Sequence, residues 1–241
     1  MAVEGYQCCE VSGAPHMPLP VRESWPSFAM SAAGDAGRSE VEAYIAARFA
    51  DAYGARVRNF LPLLLSQRQG CSIHAALGMR RADSGPLFLE QYLDQPVEQL
   101  LATAGGRPVA RTDIVEIGNL VSTSRGSSRL LFLMLAELFA AAGITWAIFT
   151  ATPEVRSLLQ KLTGNQLVLC MADGERLGAD LADWGSYYET RPAVTAINVA
   201  EERAALLERP LIRPLLLGCT SQARAMAPAF AAMCSGGESC N

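Results

Sequence analysis

Apolar residues in the first third of the chain recur with two different periods. Val41, Tyr44, Ile45, Phe49 and Ala52 return every three or four positions, which places them on one face of a helix over residues 40–53, and Gly54 stands where a left-handed C-cap would end it. In front of this run, Ser39 and Glu42 have the capping-box spacing, the serine accepting from the third helical amide while the glutamate reaches back. Residues 60–66 are a short apolar run containing Pro62, and such a strand belongs at a sheet edge because proline gives no hydrogen to the ladder. From 71 to 79, Cys71, Ile73, Ala75, Leu77 and Met79 alternate with smaller or polar residues, a period-two strand. The turn residues 82–85 lead into a strand over 86–92 that completes an antiparallel meander, and a short helix follows over 96–104 with Pro96 near its first turn.

The second half of the chain changes character. Residues 113–121 are apolar on both faces apart from Glu116 and Asn119, as a central strand covered on two sides requires. Residues 127–142 carry Leu130, Leu131, Phe132, Leu133, Met134, Leu135, Leu138 and Phe139 ahead of Gly143, too many apolar positions for a single face, so this helix is buried nearly all round. With a strand over 144–150 behind it, the unit reads strand, helix, strand, whose two strands run parallel with a right-handed crossover. Thr152-Pro153-Glu154 opens another helix, 166–171 and 193–199 are later strands, and 201–208 is a charged helix. Residues 1–37, rich in Pro, Gly, Ala and Ser, read as a flexible leader, and 210–241 as a loosely held tail, which leaves 38–209 as the folded domain.

Composition narrows the function classes. Half of the 241 residues are hydrophobic, enough for one sizeable core, and 20 Lys and Arg against 24 Asp and Glu leave a net charge of −4, without the basic excess of a nucleic-acid surface. Apolar runs fall far short of the roughly 20 residues that cross a bilayer. Pro15, Pro18, Pro20 and Pro26 interrupt a start that lacks a signal peptide's basic and apolar stretches, so the expected location is cytoplasmic. Seven cysteines with no C-x-x-C pair, and only His16 and His74, argue against a disulfide framework, a metal site and a histidine-based nucleophile system.

Candidate chemistry gathers at the strand-helix-strand unit. After Glu116-Ile117-Gly118-Asn119-Leu120-Val121, the stretch Ser122-Thr123-Ser124-Arg125-Gly126-Ser127-Ser128-Arg129 carries a central strand through small residues into a buried helix. Free amides and the helix dipole converge there, and phosphate is the natural ligand. Arg125 and Arg129 add charge, while Gly126, Ser127 and Ser128 allow close approach to the backbone; a plain connection is the alternative. Glu116 in an apolar strand must either pair with an arginine or have its pKa raised, and the second is what a general base needs. Asn119, of opposite parity, suits a bulge or a substrate contact. Glu90 and Tyr92, on one face of their expected strand, suit an acceptor amine, and a solvated face explains them equally well. Cys71 and Cys170 read as inert filling, and His74 as a solvent or pocket-edge residue.

The element order resembles the GNAT N-acyltransferase core, an α/β (α+β) fold with a mixed, mostly antiparallel sheet around a central parallel pair and helices on both faces. Three ordered motifs narrow the resemblance: Phe88-Leu89-Glu90-Gln91-Tyr92-Leu93-Asp94, Val115-Glu116-Ile117-Gly118-Asn119-Leu120 and Trp184-Gly185-Ser186-Tyr187-Tyr188. Over roughly residues 40 to 200 the chain is similar to the thermostable hemolysin family, a GNAT-like group related to acyl-homoserine-lactone synthases. Those synthases carry Glu-x-Ser-Arg-Phe on the corresponding strand; here Glu116 keeps the acid and Asn119 replaces the arginine, so lactone-forming chemistry is not carried over. The resemblance implies an acyl thioester as co-substrate, either acyl-CoA or acyl-phosphopantetheine on an acyl-carrier protein, and a small amine acceptor. In this reading Leu120, Val121 and Ser122 line the gap for the pantetheine arm, and Arg125 to Arg129 form a degenerate pyrophosphate loop. Glu116 is the base, and Tyr188 or Tyr187 protonates the leaving thiolate. Asn119, Glu90, Tyr92 and Trp184 face the acceptor, although tyrosines packed under a turn are the plain alternative. A non-catalytic thioester-binding protein and a membrane-active lysin are the competing classes.

Overall fold

The computed structural model describes residues 25–234 and contains seven strands: β1 (Ser27–Ser31), β2 (Leu63–Gln69), β3 (Ser72–Arg81), β4 (Ile114–Ser122), β5 (Trp146–Ala151), β6 (Leu167–Met171) and β7 (Ala193–Asn198). They form one sheet in the order β1-β2-β3-β4-β5-β7-β6. Every neighbouring pair is antiparallel except β4 and β5, which run parallel as the strand-helix-strand pattern requires. The helices are α1 (Arg38–Tyr53), α2 (Val97–Gly105), α3 (Arg125–Ala141), α4 (Pro153–Leu162), α5 (Val199–Leu207) and α6 (Arg213–Cys234).

Strand alternation divides the side chains between two layers. Leu63, Leu65, Leu77, Met79, Val115 and Ile117 pack with α3, α4, α5 and α6. On the other face Leu64 and Ala76 meet Val41, Ile45 and Phe49 of α1, while Ile114, Trp146 and Ile148 meet Leu89, Tyr92 and Leu101. Helix α3 lies between the sheet and α6, which is why it is apolar all round; each of its fully buried leucines is worth about 1.5–3 kcal/mol of transfer energy. Its one buried acid, Glu137, accepts from Arg203 Nε at 2.6 Å and Thr220 Oγ1 at 2.8 Å, so the charge is matched and α5 and α6 are tied to α3.

Several expectations are corrected. Residues 27–31 of the presumed leader pair along β2 and bury Phe28, and Trp25 covers Gly218 of α6, where a Cβ would come within 2.9 Å of the indole. Nor is the described part of the presumed tail loose: Leu216, Cys219, Ala223 and Phe230 of α6 are buried, and the small residues that read as loop composition permit close packing. The remainder of those two segments, 1–24 and 235–241, lies outside the described residues. Strand β2 begins after Pro62 and is internal, because β1 occupies its outer edge. Residues 86–92 are no strand; Phe88–Tyr92 is a 3-10 helix, so Glu90 and Tyr92 share no strand face. Ser39 caps nothing: α1 starts at Arg38 behind Gly37 (φ 85°), and Glu42 pairs with Arg38 at 2.8 Å. Cys71 is exposed and Cys170 half-buried.

Candidate active site

The three sequence motifs, far apart along the chain, meet on the α1 side of the sheet. Strand parity turns Glu116 of β4 toward the 3-10 helix Phe88–Tyr92, whose first amides have no partner within the helix. Glu116 Oε2 accepts from the Phe88 N–H at 3.1 Å and Oε1 from the Leu89 N–H at 2.9 Å. The residue is 3% exposed. Burial raises its pKa, against the opposing pull of the two amides and of Arg80. The arginine ion pair that would have explained this acid plainly is missing among the described residues. Glu90 is the acid that has one: Arg111 holds it at 2.7 Å and bridges to Glu98 at 2.9 Å, while the Leu87 N–H donates to Glu90 at 2.9 Å. Burial alone would raise the Glu90 carboxyl, but these partners hold it below its ordinary value.

The third motif forms the roof. Trp184 lies 5.7 Å from Phe88 and 5.8 Å from Tyr188, ring centre to ring centre. The Tyr188 and Tyr92 hydroxyls hydrogen-bond each other, and the Tyr187 hydroxyl donates to the Thr150 carbonyl at 3.4 Å. Burial raises the pKa of Tyr92, Tyr187 and Tyr188, so all three remain phenols at neutral pH. Gly185 has φ 52°, and a Cβ there would overlap the Tyr53 carbonyl and come within 2.9 Å of Gly54; the segment can approach the end of α1 this closely only through glycine. The Ser186 N–H donates to Tyr53 at 2.9 Å and the Arg56 N–H to Asp183 at 2.7 Å, fixing the roof to that turn.

Beside Glu116 the sheet is irregular. The β3–β4 register shifts between Ala76 and Gly78, and Asn119 adopts φ 53°. Its Oδ1 accepts from the Leu61 N–H at 3.1 Å and its Nδ2 donates to the Asn59 carbonyl at 3.4 Å, so Asn119 serves the bulge, one of its two expected roles. Leu61 in turn lies over two glycines: a Cβ on Gly78 would be 2.7 Å from Leu61 Cβ, and one on Gly118 would be 3.0 Å from its Cδ1. Pairing of β4 with β5 ends at Ile117 and Phe149, although β4 continues to Ser122 and β5 to Ala151. At the mouth of the resulting gap Leu120 packs toward the α3 layer and Val121 toward the α1 layer. Ser122 Oγ shares a hydrogen bond with Ser128 Oγ, and Ser124 caps α3 by accepting from the Ser127 N–H at 3.1 Å. Arg125, Gly126 and Arg129 are exposed, and among the described residues neither guanidinium has a hydrogen bond or ion pair.

Sequence reasoning missed Arg80, Leu61 and the amide contacts of Phe88 and Leu89. Arg80 has the parity of Gly78 and lay one residue beyond the strand read over 71–79, so the period-two signal extended to it. Nothing local to residues 88 and 89 marks them as ligands of Glu116. Among the described residues no cluster of three or more His, Cys, Asp and Glu is gathered for a metal, and no helix is long and apolar enough to cross a membrane.

A mixed sheet whose single parallel pair parts next to a bulge, with a buried helix leading from the bulged strand, defines a GNAT-like fold. The chain belongs to the thermostable hemolysin family, whose family profile matches residues 31–203. No curated protein matches it. Among solved structures it is similar to TofI in an apo form (14% identity, TM-score 0.52, 77% of this chain and 99% of that one). FeeM, an N-acyl amino acid synthase from uncultured soil microbes, is alike at 12% identity and TM-score 0.52, with 76% and 96% covered. The AHL synthase LasI follows at 9% identity and TM-score 0.50, with 80% and 95% covered.

Proposed function

We propose that this protein is an N-acyltransferase that moves a fatty acyl group from acyl-CoA or an acyl-carrier protein to the amine of an amino acid or small metabolite. The observation that carries the reading is the parting of β4 from β5 directly after the rung Ile117/Phe149, with a buried acid, Glu116, one residue earlier on the same strand. Two similarly folded proteins, LasI and FeeM, are an AHL synthase and an N-acyl amino acid synthase, and the second name describes a product acylated on the nitrogen of an amino acid. The pantetheine arm lies in the gap beside Leu120, Val121 and Ser122. Its diphosphate, when the donor is CoA, takes the exposed start of α3, where Arg125 and Arg129 have no other partner among the described residues. Packing does not require glycine at 126, since a Cβ there would meet only Ser124 Oγ at 3.7 Å; close approach of a ligand supplies a reason for it.

The reaction follows from these groups. Glu116, directly or through a water, takes one proton from the acceptor ammonium, and its raised pKa makes it a competent base near neutral pH. The amine lone pair then forms the N–C bond at the thioester carbonyl, and backbone N–H groups around Leu120 to Ser122 receive the oxyanion. Collapse breaks the C–S bond, and the thiolate takes a proton from the Tyr188 phenol, replaced through Tyr92 by the second amine proton. Amide and free thiol leave, with one proton released overall. Thiol release from acyl donors of increasing chain length, with pooled amines and amino acids, tests the proposal. Silence across that panel, with donor binding confirmed, would leave a thioester-binding protein instead.

A further inference from the structure

Arg80 and Glu116 are direct neighbours across the β3–β4 ladder, so their Cα atoms are about 4.5–5.5 Å apart and both side chains rise from the α1 face. Both reach the same short segment: Arg80 donates to the Pro86 carbonyl at 3.0 Å, and Glu116 accepts from the amides of Phe88 and Leu89. Yet the two charges do not pair. No carboxylate lies within 4.0 Å of the Arg80 guanidinium among the described residues, although its partial exposure and single hydrogen bond leave most of its donors free. Nearby acids are already committed, Asp83 to Arg81 and Glu90 to Arg111. Phe88 is 36% exposed here, and its ring lies 5.7 Å from that of Trp184. A cation and an anion side by side, unpaired with each other and next to the segment that carries Phe88, are complementary to a molecule bearing an ammonium and a carboxylate on one carbon.

We propose that Arg80 receives the α-carboxylate of the acceptor while Glu116 faces its ammonium, which makes free α-amino acids the acceptor class. This rests on the acyl-transfer reading and specifies its acceptor. An amine without the carboxylate leaves Arg80 unsatisfied and loses a charge-assisted bond of the bidentate kind that guanidinium groups form with carboxylates. Arg80 also ties β3 to the segment before the 3-10 helix, so a merely structural role must be separable from recognition.

The experiment measures thiol release with two acceptors, an α-amino acid such as phenylalanine and its decarboxylated counterpart phenethylamine, in the wild type, Arg80→Met and Arg80→Lys. In the wild type, kcat/KM is expected to favour the amino acid by about tenfold or more, the size of one lost charge-assisted bond. Arg80→Met should collapse the preference for the amino acid over the amine to within about threefold, chiefly by raising the KM of the amino acid, and Arg80→Lys should restore part of that preference. A wild type that uses both acceptors equally overturns the proposal and leaves acyl transfer standing; so does an Arg80→Met that loses both equally. If no acceptor releases thiol, acyl transfer is what fails, and calorimetric titration with phenylalanine decides Arg80 alone. Binding that Arg80→Met abolishes upholds the carboxylate contact, and no binding or binding unaffected by the variant overturns it.

Discussion

Replacing Glu116 by Gln separates the chemistry of this acid from its structural part. Both carboxylate oxygens accept backbone N–H groups, so a carboxamide presents one acceptor and one donor where two acceptors are needed. The mismatched amide costs about 1–3 kcal/mol. An opposing contribution comes from the raised pKa, which means that the folded state favours the protonated acid. The corresponding stability is fully present below the ordinary carboxylate pKa and is lost as pH rises through the folded-state value, so at pH 7 the wild type carries an ionisation penalty that glutamine removes. The two effects oppose each other, and the net change should stay within about 2 kcal/mol, or about 4–8 °C in Tm for a chain of this length. Turnover should fall at least tenfold, the usual loss on removing a general base being about 10²–10⁴, equivalent to about 2.7–5.5 kcal/mol in the barrier. Initial rates of thiol release at saturating donor measure this, with donor affinity measured separately and expected to be unchanged. In the wild type, kcat should rise with pH through a group titrating above the ordinary carboxylate range, because Arg80 offsets only part of the effect of burial and the neighbouring Glu90 adds to it. The variant should lack that acid limb. A folded Glu116→Gln protein with turnover within about threefold of wild type and the same acid limb would falsify the assignment of Glu116 as base.

The other expectations are narrower. Arg125→Ala with Arg129→Ala should raise the donor KM about tenfold with kcat held, and the wild-type KM should itself rise with salt, since both cations are exposed; a donor KM insensitive to both changes removes the α3 start from donor binding. Tyr188→Phe should reduce turnover more than Tyr92→Phe, because the first removes the proposed proton donor and the second only the relay that reprotonates it; equal effects in single-turnover assays would assign the pair to packing. Gly185→Ala should destabilise by about 3 kcal/mol or more, lowering Tm by about 6–12 °C, because a left-handed residue would also force a Cβ into the backbone of Tyr53 and Gly54; an unchanged melting curve would mean that the roof yields freely.

Elements written in short-range periodicity were legible along the chain. The three-and-four spacing of Val41, Ile45 and Phe49, the apolar run of α3 and the sequence strand, helix, strand around it depend on residues within a turn or a strand of each other, and they folded as expected, as did Gly54 at the end of α1. Residue chemistry also singled out Glu116, since an acid in an apolar strand must be explained wherever the strand goes. Its partners could not be read, because the amides that hold it come from 27 and 28 positions away, and the hydroxyl pair of Tyr92 and Tyr188 spans 96. The same limit explains the misread segments. Residues 27–31 acquire strand geometry only by pairing with β2, α6 is ordered by the surface of α3, and 88–92 curl into a 3-10 helix whose first amides Glu116 accepts. Local sequence determined which stretches could become helix or strand and which residues were chemically out of place. Tertiary structure decided their partners, because burial and hydrogen bonding between distant segments outweigh the small differences in local propensity at such positions.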